Sequence, residues 1–123
     1  MKCYAFEITV KGRPEWAQTI NATTLGRAKA EYFSDLRDAW PDVPFTALRG
    51  RKVGGPSSSE QFIRNARYRG LPALRCGDTV RVGDSSGVVV GHDASANFRV
   101  QFAAESRYAG AVLSVHPGDF QPL

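Results

Sequence analysis

From Cys3 to Val10 the chain alternates: Tyr4, Phe6, Ile8 and Val10 fall on one face, Glu7 and Thr9 on the other. A period of two predicts a half-buried strand, because successive side chains of an extended backbone point to opposite faces. Lys11-Gly12-Arg13-Pro14 supplies turn chemistry, and a second strand from about Glu15 to Ala22, carrying Trp16 and Ile20, closes a hairpin. The period then changes. Leu25, Ala28, Tyr32, Leu36, Ala39 and Trp40 recur at helical spacing, with Thr23 or Thr24 as N-cap and Pro41, which has no N–H to donate, as the stop. Phe45 to Val53 reads as a third strand, so residues 1–54 form a β-β-α-β module.

Gly54-Gly55-Pro56-Ser57-Ser58-Ser59 has no apolar anchor and marks a boundary. Ser57 followed by Glu60 has the form of a capping box for a short helix, Glu60 to Arg69, with Phe62, Ile63 and Ala66 inward, Gly70 beyond its end and Pro72 blocking continuation. Residues 55–72 are thus a linker with a short basic helix. From residue 73 to 123 the pattern is short strands and tight turns: Thr79 to Val82, a turn over Gly83 to Gly87, Val88 to Gly91, Phe98 to Phe102, Ala111 to Val115 and a closing turn at His116 to Phe120. Strands of four to six residues in so short a span predict a small, partly open barrel. The fold class expected is α+β.

The segments CGDTVRVGDSSGVVVGHD, FRVQF and AVLSVHPGDF resemble an SH3-like barrel of the KOW and Tudor type, in which a G-D-x-V-x-V strand leads through a glycine turn to a G-x-V strand. ARYRG at residues 66–70, GVVVGHDASANFRVQF at 87–102 and the later VHP resemble a group of short proteins of tailed phages and prophages. The resemblance implies a phage origin and supplies no catalytic residues. The loop AAESRYAGA is longer than the tight turn such barrels often use.

Charge adds a partner class. Residues 47–81 hold eight basic side chains against Glu60 and Asp78, a net of +6 within a chain whose total is +4. Seven of the eight are arginine, whose planar fork suits phosphate. Arg64 and Arg67 share a helix face beside Tyr68 and Arg69, while in extended LRGRKV Arg49 and Arg51 project to one side and Lys52 to the other. Guanidinium groups interleaved with an aromatic ring can pair phosphates and stack on bases.

Other chemistry finds less support. His92, Asp93, Ser95 and a distant His116 include the residue types of a hydrolytic triad, but no G-x-S-x-G elbow is present, and Asp93, Ser95 and Asn97 are ordinary turn residues. Cys3, Cys76, His92 and His116 lack the compact spacing of metal ligands, so no metal or cofactor is expected. Two widely spaced cysteines fit buried thiols of a reducing compartment, and no apolar run is long enough to span a membrane, so a cytoplasmic location in a bacterial host is expected.

Two functions compete. One is a non-enzymatic phage or prophage accessory protein that binds DNA or RNA through Arg49, Arg51, Lys52, Arg64, Arg67, Tyr68 and Arg69. The other is a protein-interaction module docking on a host or virion protein, for instance to counter a host defence, through barrel loops at His92, Asp93, Ser95, Asn97, Arg107 and Tyr108. A small hydrolase centred on His92 and His116 is a distant third.

Overall fold

The computed structural model describes residues 2–121. The architecture is mixed α+β, with two antiparallel sheets and two helices. Strands β1 (Tyr4–Val10), β2 (Arg13–Ala22) and β3 (Leu48–Gly54) form one sheet in the order β2-β1-β3. Strands β4 (Thr79–Val82), β5 (Ser85–His92), β6 (Phe98–Phe102), β7 (Val112–Val115) and β8 (Phe120–Gln121) form the other, ordered β7-β6-β5-β4-β8. Helix α1 (Leu25–Ala39) follows β2, and helix α2 (Glu60–Tyr68) follows β3.

The alternation in β1 sets the first core. Phe6, Ile8 and Val10 are buried against Ala22, Ala28, Tyr32 and Leu48, so α1 covers one face of the three-stranded sheet. Thr24 is the N-cap, its hydroxyl accepting from Arg27 N at 3.2 Å. The second core gathers Phe62 and Ala66 of α2 with Cys76, Val80, Val89, Phe98, Val100, Phe102 and Val115. The inward stripe of α2 therefore packs on the five-stranded sheet. At its end Gly70, at φ +76, lets its own N–H bond Arg67 O and the N–H of Leu71 bond Ala66 O, as a left-handed helix terminus requires.

Several local expectations are corrected. Phe45–Ala47 is a turn of 3₁₀ helix and β3 begins only at Leu48; Pro44 presets the φ that the turn uses. The cap of α2 is Ser59, accepting from Phe62 N at 3.0 Å, while the backbone of Ser57, two residues earlier, pairs with the Asn21 amide. The turn expected over Gly83 to Gly87 shrinks to Gly83-Asp84, because Ser85 and Ser86 already pair with Val82 and Arg81. The last turn is a 3₁₀ turn, Pro117–Asp119, capped by the His116 ring, and it delivers β8. Among the described residues no ladder joins β7 to β8, so the sheet stays open as a barrel.

The two apolar clusters share no residue. Polar groups join them instead. Asn21 donates to Ser57 O at 2.8 Å and to Val90 O at 3.1 Å and accepts from Ser57 N at 2.9 Å, so the glycine-rich connection is pinned to β2 and β5. Gln101, a buried residue of β6, accepts from Thr23 N at 3.2 Å and donates to Thr23 Oγ1 at 2.7 Å. Arg99 pairs with Glu31 of α1 at 2.5 Å, and Arg27 donates to Gly110 O at 2.8 Å. The polar side chains of β6, Arg99 and Gln101, therefore meet α1 and Thr23 just ahead of it, while α1 itself packs on the three-stranded sheet.

Candidate nucleic-acid interface

Helix α2 turns Phe62 and Ala66 inward and leaves Arg64, Arg67 and Tyr68 exposed, with Tyr68 82% accessible. Arg64 donates to Gln61 Oε1 at 3.0 Å, one turn back along the helix. On β3 the register opposes Arg51 to Glu7 and Arg49 to Thr9. Both arginines therefore project from the sheet face opposite the one that carries Phe6 and Ile8. Arg49 folds back on Thr46 O and Leu48 O, while Lys52, on the other face, sits 4.3 Å from the centre of the Tyr4 ring. Among the described residues only one of the eight cations of residues 47–81 lies within 4.0 Å of a carboxylate: Arg51, 3.2 Å from Glu7. That pair is exposed and contributes little, so Arg51 remains free to exchange partners.

Arg69 is employed otherwise. Its guanidinium donates to Ser95 O at 2.9 Å, Ala96 O at 3.2 Å and Asn97 Oδ1 at 3.3 Å, fastening the end of α2 to the loop between β5 and β6. Asn65 adds a contact to His92 Nδ1 at 3.2 Å. The loop is ordered from within as well. Asp93 accepts from Ser95 N at 2.8 Å and Asn97 N at 3.0 Å, and Ala96 takes a positive φ of 59°. Burial alone raises the Asp93 carboxyl, but the N–H groups of Asn97 and Ser95 and the side chains of Ser114 and Asn97 outweigh it and hold the carboxyl below its ordinary value.

This arrangement answers the hydrolase expectation. Asp93 is committed to backbone N–H groups, and the His116 ring accepts from Gly118 N at 2.9 Å to cap its own turn. Neither orients the other as a triad demands. Cys3 and Cys76 are buried free thiols, pushed by burial up to about 11, which leaves them protonated and weakly nucleophilic at neutral pH. Tyr108, expected in an exposed loop, packs on Phe102 with ring centres 4.4 Å apart, and Arg107 lies over its ring at 5.3 Å. Sequence reasoning missed Asn21 and Gln101, whose only signal is an amide on the polar side of a strand, the role of Thr23 as the partner of Gln101, and the Trp16–Trp40 pair described below.

The Asp93 turn gives a prediction with a defined pH dependence. Asp93→Ala should cost about 1–2 kcal/mol at pH 7, the scale of a lost pair of charge-assisted bonds. A carboxyl held lower in the fold stabilises it above the ordinary aspartate value of 3.8, and that contribution fades as pH falls through the lower folded value. The gap between wild type and variant in urea unfolding should therefore be constant from pH 5 to 8 and narrow towards pH 3. A gap that widens in acid is incompatible with this role.

The chain is thus a mixed α+β protein with two antiparallel sheets and two helices, bearing an arginine-rich helix and sheet edge. Comparison with protein-family models, with curated proteins and with solved structures found no match in any of the three. Among the described residues no helix is long and apolar enough to cross a membrane, and no three of His, Cys, Asp and Glu gather as a metal site would require.

Proposed function

We propose that the chain is a non-enzymatic nucleic-acid-binding protein that meets phosphates with the outward face of α2 and bases with Tyr68. The observation that carries this reading is the lack of acidic partners: among the described residues, seven of the eight cations in residues 47–81 have no carboxylate within 4.0 Å. Arginines so left attract a polyanion and release its counterions on contact. Arg64, Arg67 and Tyr68 are the principal contacts, extended by Arg49 and Arg51 on one face of β3, with Lys52 on the other. Arg69 acts indirectly, by fixing the helix.

The five-stranded unit is read as an SH3-like barrel. In support, its last strand pairs with its first (β8 with β4) after a 3₁₀ turn, and β5 bends at an irregularity between Val89 and Gly91 that lets one strand serve two faces. A phage or prophage accessory role and a place in the bacterial cytoplasm follow the resemblance of residues 66–70 and 87–102.

Fluorescence anisotropy with labelled single-stranded and duplex oligonucleotides, over a salt series, tests the reading. Arg64→Glu with Arg67→Glu should weaken binding at least tenfold and reduce the log–log salt slope by about 2, the loss of two phosphate contacts. Tyr68→Ala should weaken the single strand more than the duplex. Binding undetectable at low salt, or indifferent to the double reversal, ends the proposal.

A further inference from the structure

On the other half of the molecule, Trp16 of β2 and Trp40 at the end of α1 stand with ring centres 5.0 Å apart, inclined at 36°. With Gln18, Tyr32, Asp35, Leu36 and Ala39 they line a cavity of about 260 Å³. Trp40 is half exposed, which is unusual for so large an apolar ring. Tyr32 donates its hydroxyl to Trp16 O at 2.6 Å, so the base of the cavity is fixed. Asp35 is exposed, and among the described residues no cation lies within 4.0 Å of it.

We propose that this cavity binds a single basic side chain, a guanidinium or ammonium presented by a protein partner, packed against the indole pair on one side and the Asp35 carboxylate on the other. Three observations converge. Indole is the aromatic surface that attracts a cation most strongly, and two of them border one cavity. Trp16 already carries the guanidinium of Arg13, which does not line the cavity, 4.9 Å from its ring centre, so Trp40 is the indole left free for an incoming cation. The Asp35 carboxylate is the only carboxylate in the lining and supplies the acceptor that N–H donors need. The volume falls below the roughly 300 Å³ at which sites for drug-sized ligands begin and suits the head of one long side chain.

The test uses the full chain, uniformly ¹⁵N-labelled, and follows the indole N–H signals of its two tryptophans. The probes are N-acetyl-arginine amide and N-acetyl-lysine amide, with N-acetyl-citrulline amide as the neutral isostere of arginine. Saturable shifts of both indoles with the arginine or lysine probe, at least about fivefold weaker for citrulline, are expected. Asp35→Asn, an exposed and nearly isosteric change, should weaken the basic probes about threefold to fivefold and leave the citrulline response unchanged. Trp40→Phe, which preserves the helix end, should weaken them about threefold while the Trp16 signal still reports. No saturation by either basic probe, equal binding of citrulline, or indifference to Asp35→Asn overturns the assignment. Because these residues lie outside the arginine face, the result is independent of whether oligonucleotides bind.

Discussion

Phe62→Ala is expected to lower the stability of the fold by about 3–5 kcal/mol, the range for deleting a fully buried ring. Phe62 is 1% exposed and meets Phe98 edge to face with ring centres 5.3 Å apart, at the middle of the second apolar cluster. Helix α2 is nine residues long, too short to hold itself together in water, so its form depends on this one anchor and on Ala66. Urea denaturation followed by circular dichroism measures the loss. Phe62→Leu, which keeps most of the volume, should recover more than half of it. A loss below 1 kcal/mol for alanine would mean that α2 is held by its polar contacts, Arg69 and Asn65, rather than by its ring. On the proposed nucleic-acid reading, affinity falls with stability in the alanine variant, since the arginines are presented only when the helix is formed.

The second large effect concerns the seam between the two apolar clusters. Gln101→Ala should cost about 3 kcal/mol, because it removes two hydrogen bonds at once and leaves the N–H of Thr23 without its acceptor. The neighbouring Arg99–Glu31 pair is shorter at 2.5 Å, yet both partners keep access to water, and Glu31→Gln should cost no more than about 1 kcal/mol. The buried amide therefore outweighs the ion pair. Both tryptophans, Trp16 and Trp40, lie in the first half of the chain, so fluorescence reports on that half while circular dichroism reports on both. In the wild type the two transitions should coincide; in Gln101→Ala they should separate, with fluorescence changing at lower urea. Coincident transitions in the variant would show that other contacts suffice to couple the halves.

Much of this architecture was legible where a residue's neighbours in sequence decide its state. The alternation of β1, the helical spacing of α1 and the inward stripe of α2 all follow from local periodicity, as does the left-handed Gly70. What escaped was decided at long range. Ser57 had the spacing of a cap, but the chain enters α2 two residues later, at Ser59, with the Ser57 backbone held by the Asn21 amide thirty-six positions away. Arg69 carries the same charge as Arg67, and nothing in the sequence says that one faces solvent while the other meets three loop oxygens. The extra length of AAESRYAGA pointed to an exposed Tyr108, whereas the ring turns back onto Phe102. Trp40 read as the last apolar position of a helix; only its approach to Trp16 from a different strand creates a cavity.

The polar seam carries a mechanical corollary. A joint formed from amides, hydroxyls and one ion pair can part without presenting oil to water, since every group it releases finds a water molecule instead. Each half keeps its own greasy interior throughout. Angular play between the two is therefore resisted by the geometry of these bonds more than by hydrophobic cohesion.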